Sequence, residues 1–354
     1  MSPSPYELPP ADALPEQKGL PDPFLGPDGK RIQSVAEWPV QRDYLKALLC
    51  HYTYGHTPPR PTAEEMSIRQ VMARPAFDGQ AVEEHLVLTI QHAGQTFDID
   101  LWLFRPQAEG RHPTIVKNCH SLFDGQTGYG KWAENIVEPG ASKTIENDTH
   151  AARQAVERGY LLCKFNREQL AIDEGYGRRC QLANLELPSH RNVGIYPLYP
   201  DCDWSAIAVW AWAHSVVLDA LDRLGYTDME KTVATGHSRG GWTATLAGIF
   251  DERIALVVAN GGFNLIRIRD PQGARPTGDF IAAMETKSPH FHHPRFYTFA
   301  DQKYRLPFDI HTACSTSGSI RIIRRRFPGG CLPAVTTKFE AESVRPMYRQ
   351  TKGN

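Results

Sequence analysis

Ser238 sits in the run Gly236-His237-Ser238-Arg239-Gly240, and residues of these types at this spacing suit nucleophilic attack. A serine hydroxyl flanked by glycines two positions before and two after fits a sharp turn in which side chains at the flanking positions would collide with neighbouring backbone. The chemistry would be acyl transfer: the hydroxyl attacks a carbonyl carbon, and the start of a following helix meets the charge that develops on the carbonyl oxygen. The competing interpretation is a Gly/Ser helix-start turn that binds phosphate. The lysine and spacing of a P-loop are missing, which favours the nucleophile.

Such a turn needs a strand before it and a helix after it. Lys231 to Thr235 is a short strand-like run, and Trp242 to Phe250 a helix-forming one. Upstream, residues 1–35 are rich in Pro and Gly and read as an arm lying over a domain. Glu37 to His51 has helical spacing, with Trp38, Tyr44, Leu45, Leu48 and Leu49 near one side; Gly55, Pro58 and Pro59 stop it, and His51 and His56 have capping or surface places. Glu84 to Gln91 and Thr96 to Phe104 alternate like strands around Gly94, which predicts a hairpin. Pro113 to Lys117 is a plausible central strand leading into His120, a candidate to line the site, because loops at the carboxyl ends of strands form the active face of such sheets.

His150 to Arg158 then reads as a helix and Tyr160 to Phe165 as a buried strand. The irregular stretch from Asn166 to Cys202 has the length of a functional loop or lid. Asp203 to Gly225 is a strong helix that Asp203 can cap, its three tryptophans (Trp204, Trp210, Trp212) packing against a sheet. Arg253 to Asn260 is the next strand. Alternating strands and helices imply a mostly parallel sheet covered on both faces. With the turn at Ser238, the expected architecture is the α/β-hydrolase three-layer sandwich. The expected division is an N-terminal arm and helix (1–60), the core (61–312) and an atypical basic tail (313–354).

Composition narrows the partners. With 41% hydrophobic and 22% charged residues and a net charge of −1, nothing favours nucleic acid or a membrane surface. No apolar run is long enough to span a bilayer, and residues 1–20 contain no apolar signal core, so the chain as it stands is expected in the cytoplasm, or outside it if the true start differs. The seven cysteines lack Cys-x-x-Cys spacing and read mostly as thiols; Cys180 and Cys202 could pair in an exported protein. Oligomeric state is not encoded in these features.

Several pieces, in order, resemble the glucuronoyl esterase family of carbohydrate esterases. They are Leu20-Pro21-Asp22-Pro23-Phe24 with Asp28-Gly29, then Glu37-Trp38-Pro39, Tyr54-Gly55, and Gly194-Ile195-Tyr196-Pro197-Leu198. Trp204-Ser205-Ala206-Ile207, Ala211-Trp212-Ala213, the run from Gly236 to Gly241, and Leu306-Pro307-Phe308-Asp309-Ile310-His311 complete the set. The resemblance implies a metal-free, cofactor-free serine hydrolase. Its substrate would be the ester between glucuronic acid side groups of xylan and lignin alcohols. It also implies Ser238 as nucleophile and Arg239 as the arginine that stabilises the oxyanion. Three positions depart from the family: Trp242 stands where a substrate-contacting lysine is usual, and the strand after the turn ends Asn260-Gly261-Gly262 without a carboxylate. Pro289-His290-Phe291 replaces the tryptophan-bearing sugar site, leaving Phe291 as the platform. Trp242 and Phe291, with His120, are the expected substrate contacts.

A serine needs a base, and in this fold the order is serine, acid, histidine. After Ser238 the histidines are His290, His292, His293 and His311, and residues 313–354 contain none. That tail carries eight basic residues against two acidic, a charge of +6, while the rest of the chain is −7. It is expected to be truncated or out of register with an ancestral esterase, leaving the C-terminal strands incomplete. His-Phe-His-His has no neighbouring Asp, Glu or Cys to complete a metal site and reads as a solvent-facing or substrate-lining loop; His311 reads as structural, near Asp309. Three functions follow: a serine ester hydrolase, an inactive remnant that binds a sugar ester, and an acetyl ester hydrolase on the same fold.

Overall fold

The computed structural model describes residues 6–17, 19–119, 150–173, 191–261, 266, 280–316 and 321–322. Its centre is one sheet. Strand β2 (Ala81–His92) and strand β3 (Gln95–Pro106) form the expected hairpin, with Leu86 opposite Leu101 and Leu88 opposite Ile99, all at 2% exposure or less. Period-2 alternation places these side chains on one face, and burying that face fixes the register. Ala93 (φ 48°) and Gly94 (φ 77°) form the two-residue turn, both in the left-handed region that twists with the strands. One strand escaped the sequence pattern. Strand β1 (Met66–Ala76) pairs antiparallel with β2, but Arg69, Gln70 and Arg74 break its apolar alternation. It is an edge strand, and its arginines and the register shift between Gln70 and Met72 deter pairing with another chain.

The parallel part comprises β4 (His112–Cys119), β5 (Leu161–Asn166), β6 (Thr227–His237), β7 (Ile254–Asn260) and β8 (Arg321–Ile322). The order across the sheet is β1-β2-β3-β5-β4-β6-β7-β8, with β3 antiparallel to β5 and every later pair parallel. The chain leaves β4 toward β5 on one side and returns to β6 on the other. The carboxyl ends of β4 and β6 therefore flank a topological switch point, where open α/β sheets place their sites. Arg321–Ile322 adds a short eighth strand from within the basic tail, whose other residues past Thr316 lie outside the described residues. The expected boundary at 312/313 falls inside a helix, Ile310–Ser315.

Three helices position the site. Helix α1 (Trp38–Leu49) buries Leu45, Leu48 and Leu49. Helix α2 (Ala206–Arg223) is apolar nearly all round and is enclosed accordingly, with Trp204, just ahead of it, and Trp210 at 0% and Trp212 at 6% exposure. Packing is thus the role of all three tryptophans. Asp203 does not cap α2; Ser205 occupies that position, and Asp203 is taken by His56, His293 and Arg295. Helix α3 (Arg239–Phe250) starts at the turn and packs on β6, β7 and α2.

Candidate active site

Ser238 joins β6 to α3 with φ 54° and ψ −119°, a backbone conformation that costs a non-glycine residue roughly 1–3 kcal/mol and persists only where its surroundings enforce it. Ser238 N donates to the Asn260 carbonyl on β7 (2.8 Å), and the Ser238 carbonyl accepts from Gly241 N (2.9 Å) and Trp242 N (3.2 Å). The glycines permit close approach: a Cβ on Gly236 would lie 2.3 Å from the Gly240 carbonyl oxygen, and one on Gly241 would lie 2.4 Å from the Gly261 oxygen. Ser238 is exposed at the apex. The geometry is the strained strand–turn–helix elbow that the spacing of glycine and serine predicts.

Asn118, at the end of β4, braces the elbow from below. Its side-chain Nδ2 lies within donating distance of the Thr235 carbonyl (3.2 Å), the Gly240 carbonyl (3.0 Å) and His214 Nε2 (2.9 Å). Because Asn118 donates, His214 accepts and is neutral; burial, its first cause, lowers its pKa to about 3.

Arg239 turns its guanidinium toward Asp173, with Nη1 donating to Oδ1 at 2.5 Å, and stands over the Phe291 ring at 5.2 Å. Asp173 also receives Arg167 Nη2 at 3.4 Å and His290 Nε2 at 3.3 Å. Asp173 and His290 are fully enclosed, while Arg239 keeps a quarter of its side chain exposed. Burial pushes the Asp173 carboxyl up, but the His290 bond and the two guanidiniums outweigh it and hold it at about 2. Beside it, burial raises Glu168 to about 8, Arg167 opposing and Asp173 adding to the effect.

Several expectations change. Trp242 is 8% exposed, its Nε1 donates to Tyr54 Oη (2.6 Å), and its ring packs on His292 at 5.0 Å. An indole satisfied inside the core is a packing element, so the expected substrate contact at Trp242 is replaced by a structural one. Phe291, 6% exposed, lies beneath Arg239 and against Trp210 rather than forming an open platform. His290 and His292 are buried at 4% and 2%, not solvent-facing. His311 is structural, but its Nε2 bonds the Pro21 carbonyl (2.8 Å), and Asp309 instead caps its own helix through Ile310 N and Thr312. His120 and Cys180 lie outside the described residues. Asp173, Arg167 and Glu168 were missed; the only signal was a run of charged residues directly after a buried strand.

Among the described residues, the hydrogen bonds of Ser238 are made by its backbone, and no imidazole meets its hydroxyl. No group of three or more His, Cys, Asp or Glu among them is arranged to hold a metal, and no helix among them is long and apolar enough to cross a membrane.

A family model described as "Glucuronyl esterase, fungi" matches residues 176–317. The chain is 26% identical over 317 residues to carbohydrate esterase MZ0003 from an unknown prokaryotic organism, covering 82% of this chain and 69% of that protein. It is 24% identical over 302 residues to a 4-O-methyl-glucuronoyl methylesterase of Podospora anserina, covering 82% of this chain and 52% of the relative, so it spans about half that protein's length. Among solved structures, a glucuronoyl esterase from Solibacter usitatus superposes with a TM-score of 0.70 at 22% identity, over 88% of this chain and 81% of that one. The sheet, the elbow and this superposition define the α/β-hydrolase fold. Within that fold, the chain is similar to glucuronoyl esterases.

Proposed function

We propose that this chain is a serine-dependent carboxylic ester hydrolase acting on esters of 4-O-methyl-glucuronic acid, the side-group esters that join xylan to lignin alcohols. The observation that carries the proposal is Ser238 in a strained elbow with Arg239 anchored next to it. The relatives named as 4-O-methyl-glucuronoyl methylesterases supply the substrate class. Ser238 Oγ attacks the ester carbonyl carbon and forms a tetrahedral adduct. Its oxyanion is stabilised by Arg239 and the start of α3, a type of donor set in which one donor is worth about 2.7–4 kcal/mol. Collapse of the adduct breaks the bond to the alcohol, which leaves with a proton. Water then attacks the acyl carbon, releasing the uronic acid and restoring the serine. His120 follows directly on β4 in the sequence, and its lining of the substrate pocket is part of this proposal.

One observation favours a second reading, a sugar-ester binder without turnover: no described imidazole meets the Ser238 hydroxyl. A fluorophosphonate probe decides between them. The hydrolase should label in wild type and lose the label in Ser238→Ala; an unlabelled wild type would leave the binder. Hydrolysis of benzyl glucuronate in preference to an acetylated sugar is then the expected outcome, and the reverse preference would make the chain an acetyl esterase.

A further inference from the structure

We propose that Asp173 is a positioning residue that holds the Arg239 guanidinium beside Ser238; the catalytic part of this inference rests on the reading of Ser238 and Arg239 given above. Arginine is long and flexible, and an oxyanion donor works best when its direction is set before charge develops. Arg239 is fixed on two sides, by Asp173 Oδ1 at 2.5 Å and by the Phe291 ring at 5.2 Å. Arg239 keeps a quarter of its side chain exposed, and Ser238, its neighbour in the chain, is exposed at the turn.

Asp173 can do this only because it stays ionised inside the protein. A carboxylate removed from water is costly unless charged and hydrogen-bonding partners surround it. Arg167, 4% exposed, meets the second oxygen, and His290 donates Nε2–H to the first. Arg167 is too deeply enclosed to serve a substrate. Its place in the cluster is to keep Asp173 charged and aimed. The two guanidiniums exceed the single carboxylate by one positive charge. Glu168, with its raised pKa, is mostly protonated at neutral pH and leaves that surplus in place. A surplus positive charge at the elbow favours an oxyanion over a neutral carbonyl, which is the differential interaction catalysis requires.

The test uses the full chain with 15N-labelled arginine side chains, the Arg239 signals being assigned by their loss in Arg239→Lys. Wild type should show hindered rotation of the Arg239 guanidinium, and Asp173→Asn should release it. If Asp173→Asn does not fold, Asp173→Glu, which keeps the charge and displaces it by one methylene, should shift the same signals. Arg239 signals unchanged in the folded variant would overturn the proposal.

Kinetics on benzyl glucuronate provide the second arm. Asp173→Asn should lower kcat by about 10- to 100-fold with KM within about two-fold, and should add no further loss in an Arg239→Ala background. Losses that multiply independently would overturn positioning. A wild type that turns nothing over, yet whose Arg239 loosens in Asp173→Asn, would retire the hydrolase reading and leave the positioning of Arg239 supported.

Discussion

A methyl group on Gly236 would lie 2.3 Å from the Gly240 carbonyl oxygen and 2.7 Å from Asn118 Nδ2. Neither neighbour can give way cheaply. The Gly240 carbonyl belongs to the first turn of α3, and Asn118 is engaged with both β6 and that turn. Gly236→Ala should therefore cost at least about 1–3 kcal/mol, the usual penalty of overpacking, measured as a lower urea midpoint at unchanged slope. It should also displace the Ser238 hydroxyl and suppress fluorophosphonate labelling beyond what the stability loss accounts for. A variant within about 0.5 kcal/mol of wild type that labels normally would show that the elbow does not depend on this close approach. At the same scale, the network around Asp173 shows how much a single buried carboxylate can organise. Its partners come from three separate segments, at sequence distances of 6, 66 and 117 residues.

Helix α3 has Ser238 at its N-cap and a core side chain, Trp242, four residues further on. Trp242 faces Tyr54 and His292, away from the exposed apex. Trp242→Ala should destabilise the chain by about 3–5 kcal/mol, as expected for emptying a large aromatic site, with the KM for a glucuronate ester unchanged within two-fold in the folded protein. A several-fold rise in KM at unchanged stability would instead make Trp242 a substrate contact. Elements of this kind also explain which parts were legible in the sequence. The hairpin, the buried strands and α2 announce themselves through local periodicity, and the elbow through glycine spacing within five residues. Strand β1 does not, because an exposed edge strand held by backbone pairing leaves no apolar alternation. Asp203 looked like a cap from its place before α2. Its actual role depends on His56 and Arg295, 147 and 92 residues away, and no local pattern encodes such a meeting.

At the scale of the whole molecule, enclosed titrating groups set a pH window for stability. His214 and His292 are buried, and burial lowers both to about 3, with His290 adding to the effect at His292. His51, half-buried, is lowered to about 4 by burial first and then by Arg295, His56 and His293. Each would protonate near 6.5 in the unfolded chain. The stability these histidines contribute is therefore complete above about pH 6.5 and declines as pH falls toward 3–4, by roughly 1.4 kcal/mol per pH unit for each fully buried one. His51 adds less because solvent screens it. Glu168 acts in the opposite direction: its pKa of about 8 in the fold, against 4.5 outside it, gives stability that is complete below 4.5 and declines as pH rises to 8. Between 4.5 and 6.5 the two enclosed histidines outweigh this one carboxyl, and above 6.5 the carboxyl acts alone among these groups. The melting temperature should therefore be highest near pH 6.5. Glu168→Gln, which mimics the protonated form, should remove the fall between pH 6.5 and 8 and steepen the acid limb between pH 4.5 and 6.5, where the carboxyl no longer opposes the histidines. Thermal denaturation of both proteins across pH 4–8.5 checks this, and an alkaline fall of equal size in Glu168→Gln would show that Glu168 does not hold its proton in the fold.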